Sequence, residues 1–263
     1  MQRLMPQLLS YLITLLILSA CNTDTTTAVP TSQSTPEPTA TKTAVSTSTL
    51  SPSPTAEVSL RFLALGDSYT IGESVREDER WPVQLVAGLR AQEINIEDAQ
   101  IIAQTGWTTD ELAAAIAEAN PQGPYDIVSL LIGVNNQYRG RSQAEYRNQF
   151  IDLLNQAIAF ADGDPAKVFV ISIPDWGVTP FAARQDSEAI GAEIDAFNAI
   201  NRAEAEKAGV VYIDITPISR RAPDEPELIA ADGLHPSGKM YVEWVALIEP
   251  VLLEIITNKE IGD

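Results

Sequence analysis

Histidine occurs once in this chain, at position 235, and cysteine once, at position 21. His235 stands in Asp232-Gly233-Leu234-His235-Pro236. A neutral imidazole accepts a proton near neutral pH, so His235 is the natural candidate for a general base. Asp232, three residues earlier across a flexible glycine, can reach the other ring nitrogen, fix its tautomer and stabilise the imidazolium. Pro236 disfavours helical backbone at His235. A base of this kind serves a weak nucleophile, and Ser68 in Gly66-Asp67-Ser68-Tyr69 is one. Two further blocks, Gln104-Thr105-Gly106-Trp107 and Gly133-Val134-Asn135-Asn136, carry amides. The backbone N–H groups of Ser68 and Gly106 and the carboxamide of Asn135 are candidates to meet a developing oxyanion. Nucleophile, base, orienting carboxylate and oxyanion donors make up the inventory for acyl transfer. With a single histidine and a single, distant cysteine, no zinc site of the usual ligands and no intrachain disulfide are available. The reading calls for no metal and no cofactor.

These blocks can act together only if separate elements deliver them to one rim. Apolar runs at 61–65, 99–103, 126–132, 168–173 and 210–215 read as strands. Between them lie helical patterns: 81–92 with Pro82 in its first turn, 108–120 behind a Thr108–Glu111 capping box, 142–161 behind a Ser142–Glu145 capping box, and 187–208 ended by Gly209. A last helix capped by Ser237 reaches about residue 256. Near-continuous apolar strands alternating with helices predict a doubly wound parallel sheet covered on both faces. Ligands bind such sheets at the carboxyl ends of the strands, where three of the four blocks begin. Trp107, Tyr138, Trp176 and Phe181 fall near those ends and read equally as pocket walls or as ordinary packing. Asp67 reads as a loop-holding residue and Asp110 and Glu111 as a helix start. Arg139 and Arg141 read as a solvated loop, and the acidic run from Glu73 to Glu79 as a solvated face.

In order and spacing, the four blocks resemble the GDSL, or SGNH, serine hydrolases: Gly-Asp-Ser after the first strand, glycine after the second, Gly-x-Asn after the third, and Asp-x-x-His near the end. The resemblance covers about residues 61–254. It implies an α/β fold, a flavodoxin-like three-layer sandwich with a five-stranded parallel sheet, and serine esterase chemistry. It implies Ser68 as nucleophile, Asp232 and His235 as the rest of a triad, and Ser68, Gly106 and Asn135 as the oxyanion hole. Tyr69 stands where that family's name places leucine, which changes little. Asn136 replaces the usual aspartate, which puts in question the hydrogen bonding beside Asn135.

Ahead of this lies a different kind of sequence. An apolar run over residues 8–20 is too short to span a bilayer, which takes about 20 residues, and suits a secretory signal. Its end, Leu18-Ser19-Ala20-Cys21, resembles a bacterial lipoprotein signal. That resemblance implies cleavage before Cys21, its lipidation, and anchoring in a lipid bilayer by acyl chains at about 0.8 kcal/mol per buried methylene. Of the 36 residues 22–57, 23 are Thr, Ser or Pro. A segment this poor in apolar residues reads as a disordered stalk, with a reach of roughly 35 Å as a flexible coil. The expected organisation is a signal peptide over 1–20, lipidated Cys21 and stalk over 21–58, and a hydrolase domain over 59–263.

Composition agrees with this division. Hydrophobic residues make up 45% of the 263, enough for a core. The net charge of −19 disfavours nucleic acid as a partner. The expectation is therefore a serine esterase anchored in a bacterial cell envelope, on the outer side of the cytoplasmic membrane or in an outer membrane. It would act on short acyl or O-acetyl esters of small molecules or polysaccharide. The rival is a surface binding module that kept the fold and lost the chemistry. Oligomeric state has no signature here.

Overall fold

The computed structural model describes residues 59–262. The expected signal segment, the lipid-attachment site at Cys21 and the stalk lie outside the described residues. Five strands form one sheet: β1 (Phe62–Gly66), β2 (Gln100–Ala103), β3 (Ile127–Leu131), β4 (Val168–Ile171) and β5 (Val211–Ile213). Their order is β2-β1-β3-β4-β5 and every neighbouring pair is parallel. The three inner strands β1, β3 and β4 are buried at every residue, which is why they read as unbroken apolar runs. The edge strands β2 and β5 are partly exposed and shorter than their apolar runs suggest.

Among the described residues, eight helices surround the sheet: α1 (Ser68–Ile71), α2 (Trp81–Ala91), α3 (Thr109–Ala119), α4 (Val134–Tyr138), α5 (Gln143–Phe160), α6 (Ser187–Ala208), α7 (Thr216–Ser219) and α8 (Gly238–Gly262). α2 packs on α8, while α5 packs between α3 and α6, so the sheet lies between two helical layers. The expected flavodoxin-like sandwich is thus observed. Thr108 and Glu111 form the reciprocal cap of α3. Ser142 caps α5 from one side only, accepting from the Glu145 N–H, while the Glu145 carboxylate takes the side-chain amide of Gln149. Gly209 closes α6 in the left-handed conformation, φ 75°. α8 runs past residue 256 despite Pro250 in its interior. Tyr241, Trp244, Ile248 and Leu252, at helical spacing along it, are fully buried, and that burial outweighs the one backbone bond the proline removes.

The chain leaves β1 toward one edge and leaves β3 toward the other. A crevice therefore opens between their carboxyl ends. Gly66 of β1 is level with Ala103 of β2 and Leu131 of β3, so the three strands end together. Among the described residues, no helix is long and apolar enough to cross a membrane.

Candidate active site

Ser68 is placed by the two residues before it. A side chain at Gly66 would collide with the Thr70 hydroxyl at 2.2 Å and the Leu131 carbonyl at 2.6 Å, so only glycine lets the chain turn this tightly out of β1. Asp67 then caps α1, its Oδ1 accepting from the Tyr69 N–H at 3.1 Å. Ser68 becomes the first residue of that helix. Its own N–H has no helical acceptor and makes no protein hydrogen bond among the described residues. The other oxygen of Asp67 is buried without a hydrogen-bond partner. Burial pushes this carboxyl up to about 7 against the lowering effect of the Tyr69 amide.

His235 and Asp232 share one loop, turned at Gly233 with φ 73°. The His235 Nδ1 lies 2.6 Å from Asp232 Oδ2, and Asp232 Oδ1 accepts the N–H of Leu234 at 2.9 Å and of His235 at 3.0 Å. Ser74 donates its hydroxyl to Asp232 Oδ2 at 2.7 Å. Partial burial alone would raise the Asp232 carboxyl. The hydrogen bonds from His235, Ser74 and the two amides outweigh it and hold the group well below the usual carboxylate range. Asp232 is therefore an ionised acceptor beside the imidazole. Tyr69 meets the His235 ring edge-on, with centroids 5.7 Å apart, and so packs against the imidazole.

The amide donors come from the loops after β2 and β3. Gly106 has φ 89°, a conformation that favours glycine. Its N–H makes no protein hydrogen bond among the described residues, while its carbonyl accepts from Arg139 at 2.6 Å. Gly133, at φ 130°, begins α4. A side chain there would strike the Tyr146 hydroxyl at 2.3 Å. In the first turn of α4, the Asn135 side-chain amide donates to the Trp107 carbonyl at 2.9 Å. That Nδ2 carries two hydrogens, so one remains for a ligand. Asn136 is buried beside it. Its Oδ1 accepts from the Thr109 N–H at 3.1 Å and its Nδ2 donates to the Thr109 hydroxyl at 2.7 Å. The amide thus uses both an acceptor and a donor where an ionised aspartate would offer acceptors only. This answers the question raised by the replaced aspartate: Asn136 ties α4 to the start of α3.

A cavity of about 170 Å³ joins these groups, lined by Ser68, Gly106, Asn135 and His235 on its polar side. Tyr138, Trp176, Phe181 and Leu234 line the apolar side. Trp176 is held by its indole N–H, which donates to Gln137 Oε1 at 2.8 Å, and its ring meets Tyr138 at 5.4 Å and Phe181 at 6.0 Å. A larger cavity of about 420 Å³ lies at the amino ends of the strands, between Leu60, Lys167, Val211 and Ile255. It contains none of the acyl-transfer inventory.

The structure therefore gathers Ser68, Gly106, Asn135 and His235 at one cavity and joins Asp232 to His235. Ser68 Oγ and His235 Nε2 make no hydrogen bond to each other, an approach that commonly tightens only with substrate bound. Of the four aromatic candidates, Tyr138, Trp176 and Phe181 form the apolar wall, and Trp107 contributes its carbonyl. Arg139 is exposed and Arg141 partly exposed, as expected of a solvated loop, and both are also paired: Arg139 bridges Gly106 and Glu111, and Arg141 pairs with Asp110 and Glu145. The acidic run is exposed over 76–78, as expected, while its start also bonds to the site: Ser74 binds Asp232, and Glu73 accepts from the Thr105 hydroxyl. Nothing in the local sequence marks Ser74, since its partner is 158 residues away.

Residues 64–242 match the model of the GDSL-like lipase/acylhydrolase family. Among solved structures, the chain resembles that of TesA at 19% identity and a TM-score of 0.56, over 74% of this chain and 99% of that one. It resembles the acetylxylan esterase Axe2 from Geobacillus stearothermophilus at 18% identity and a TM-score of 0.56, over 75% and 94%. It resembles the psychrotrophic esterase EstA from Pseudoalteromonas sp. at 17% identity and a TM-score of 0.52, over 77% and 99%. At such identities the structural likeness speaks for the fold alone. No curated protein matches the chain by sequence.

Proposed function

The chain belongs to the GDSL-like lipase/acylhydrolase family and is a hydrolase of ester bonds, and on that premise we propose that it cleaves short acyl or O-acetyl esters through an acyl-enzyme on Ser68. The observation that carries this reading is the His235–Asp232 pair, 2.6 Å apart, with its imidazole and Ser68 lining one cavity. In the proposed route Ser68 Oγ attacks the ester carbonyl carbon and its proton passes to His235 Nε2. The oxyanion of the tetrahedral intermediate is met by the free N–H groups of Ser68 and Gly106 and the spare hydrogen of Asn135 Nδ2. Collapse expels the alcohol, which takes the proton from His235, and leaves the acyl group on Ser68. Water then attacks the acyl-enzyme, again giving a proton to His235, and collapse returns that proton to Ser68 as the acid departs. Asp232 remains ionised throughout and stabilises the imidazolium.

The cavity supports a small acyl group. Its 170 Å³ falls below the roughly 300–1,000 Å³ of sites that enclose drug-sized ligands. The aromatic wall suits a short acyl group or the face of a sugar, and Axe2, which shares the fold, is an acetylxylan esterase. The Leu18-Ser19-Ala20-Cys21 segment supports a lipid anchor on the outer side of a bacterial membrane, with the stalk carrying the enzyme away from it. No cofactor enters the route. Turnover of p-nitrophenyl acetate tests the assignment. The protein hydrolyses it, and Ser68→Ala lowers kcat by roughly 10³-fold or more with the fold intact. A Ser68→Ala variant with near-normal turnover would contradict the route.

A further inference from the structure

The turn at residues 72–75 bonds to Ser68, to Thr105 and to Asp232. Gly72 and Glu73 both donate their N–H groups to the Ser68 carbonyl, at 3.0 Å each. The Glu73 carboxylate accepts from Thr105, next to Gly106. Ser74 donates to the same oxygen of Asp232 that faces His235 Nδ1. Val75, partly buried against the core, anchors the end of the turn. The Ser74 backbone has φ 65°, a left-handed conformation uncommon for residues other than glycine, asparagine and aspartate. The Ser74 side chain is exposed, so it fills no space in the core. A strained, exposed serine with no packing role but a 2.7 Å bond to this carboxylate calls for an explanation in terms of the site.

Resting on the triad reading above, we propose that Ser74 is a positioning residue: its hydroxyl completes the hydrogen-bond shell of Asp232 and ties the loop carrying Asp232 and His235 to the loop carrying Ser68. An ionised carboxylate offers about four acceptor sites. Asp232 fills them with the Leu234 and His235 amides, the His235 ring and Ser74. Two effects follow. The bond fixes the carboxylate, and through it the imidazole, relative to Ser68. It also withdraws charge from Oδ2, which limits how strongly Asp232 favours the imidazolium. Removing it therefore makes His235 hold its proton to higher pH. The other titratable groups around the pair are Tyr69 and Tyr241 from α1 and α8, Asp67 before α1, Glu73 in the turn and Asp175 after β4. None of these donates to Asp232 among the described residues, so none replaces Ser74.

Since His235 is the only histidine, its imidazole titration can be read directly by NMR in protein made without a histidine tag, independently of turnover. The informative variant is Ser74→Gly, because glycine fits φ 65° without strain while deleting the hydroxyl. Ser74→Ala deletes the hydroxyl and keeps the strain. Both variants are expected to lower kcat for p-nitrophenyl acetate about 10-fold with KM within about twofold, as expected of a misplaced catalytic group. Both should move the His235 titration midpoint and the acid limb of kcat/KM upward by about 0.5 pH unit. The glycine variant should do so while melting no lower than wild type. Ser74→Gly with wild-type kcat and an unmoved titration would overturn the proposal, as would loss of activity with the midpoint unmoved. Ser68→Ala, measured alongside, separates the two readings. If it is inactive while Ser74→Gly behaves as wild type, only the role of Ser74 falls. If it stays active, the triad reading falls and this proposal with it.

Discussion

Replacing Asp67 by asparagine should stabilise the protein at high pH relative to low pH. Asp67 is fully buried, one oxygen accepts from the Tyr69 N–H, and the other has no hydrogen-bond partner. Burial raises the carboxyl from 3.8 to about 7. Between those values the folded chain keeps a proton that the unfolded chain has released. The contribution of this group to stability is therefore complete below about pH 4, declines as pH rises to about 7, and is flat above that. At 1.36 kcal/mol per pKa unit, the decline is about 4 kcal/mol at most. Asparagine keeps the acceptor for Tyr69 and does not titrate. The buried amide N–H group it adds costs a constant amount at every pH. Subtracting wild type from Asp67→Asn cancels the titration of all other groups that the change leaves alone. Urea unfolding followed by tryptophan fluorescence, from about pH 4 to about pH 8, should show the difference moving toward the variant by up to about 4 kcal/mol. A difference independent of pH, with equal m-values, would refute the buried, protonated Asp67 described here. Asp232 acts in the opposite direction: its carboxyl is held below the usual range, so its contribution is present above about pH 4 and is lost as pH falls.

The remaining outcomes concern the site and the anchor. Asn135→Ala should lower kcat by roughly 10²–10³ with a smaller change in KM, because the charge it meets exists only in the transition state. Asn136→Ala should instead cost roughly 1–3 kcal/mol of stability by leaving the Thr109 N–H unpaired, with much less effect on kcat, and equal kinetic losses at both positions would contradict the assignment. Acetyl and butyryl esters should exceed palmitoyl esters in kcat/KM below micellar concentrations, and Phe181→Ala should narrow that gap by opening the apolar wall; a palmitoyl preference in the unaltered protein would refute the size argument. Cys21→Ser should release active enzyme from membranes, and fractionation that finds it still bound would point to another anchor.

Much of this molecule was legible in its residues, for identifiable reasons. The inner strands β1, β3 and β4 are buried on both faces, so their apolar runs stand out, and the glycines at 66, 106 and 133 mark the tight exits that follow the first three strands. The strand ends and the short helices α1, α4 and α7 were not legible, because they are set by tertiary contacts. The Asp232–His235 pair was visible because it spans three residues across a glycine. The Ser74–Asp232 bond and the Arg139–Gly106 bond were invisible, because they join loops far apart in sequence that only the sheet order brings together. The acidic run is solvent-exposed over 76–78, as its charges suggest, and those charges hide the neutral hydroxyl of Ser74 that bonds to Asp232.

The central claim is that Ser68 is the nucleophile, and a fluorophosphonate reporter tests it most directly. After stoichiometric inactivation, peptide mass spectrometry should find one adduct, on Ser68, with labelling abolished in Ser68→Ala and strongly slowed in His235→Ala. An adduct on any other residue accompanying the loss of activity, or full inactivation of Ser68→Ala by the same reagent, would contradict the account.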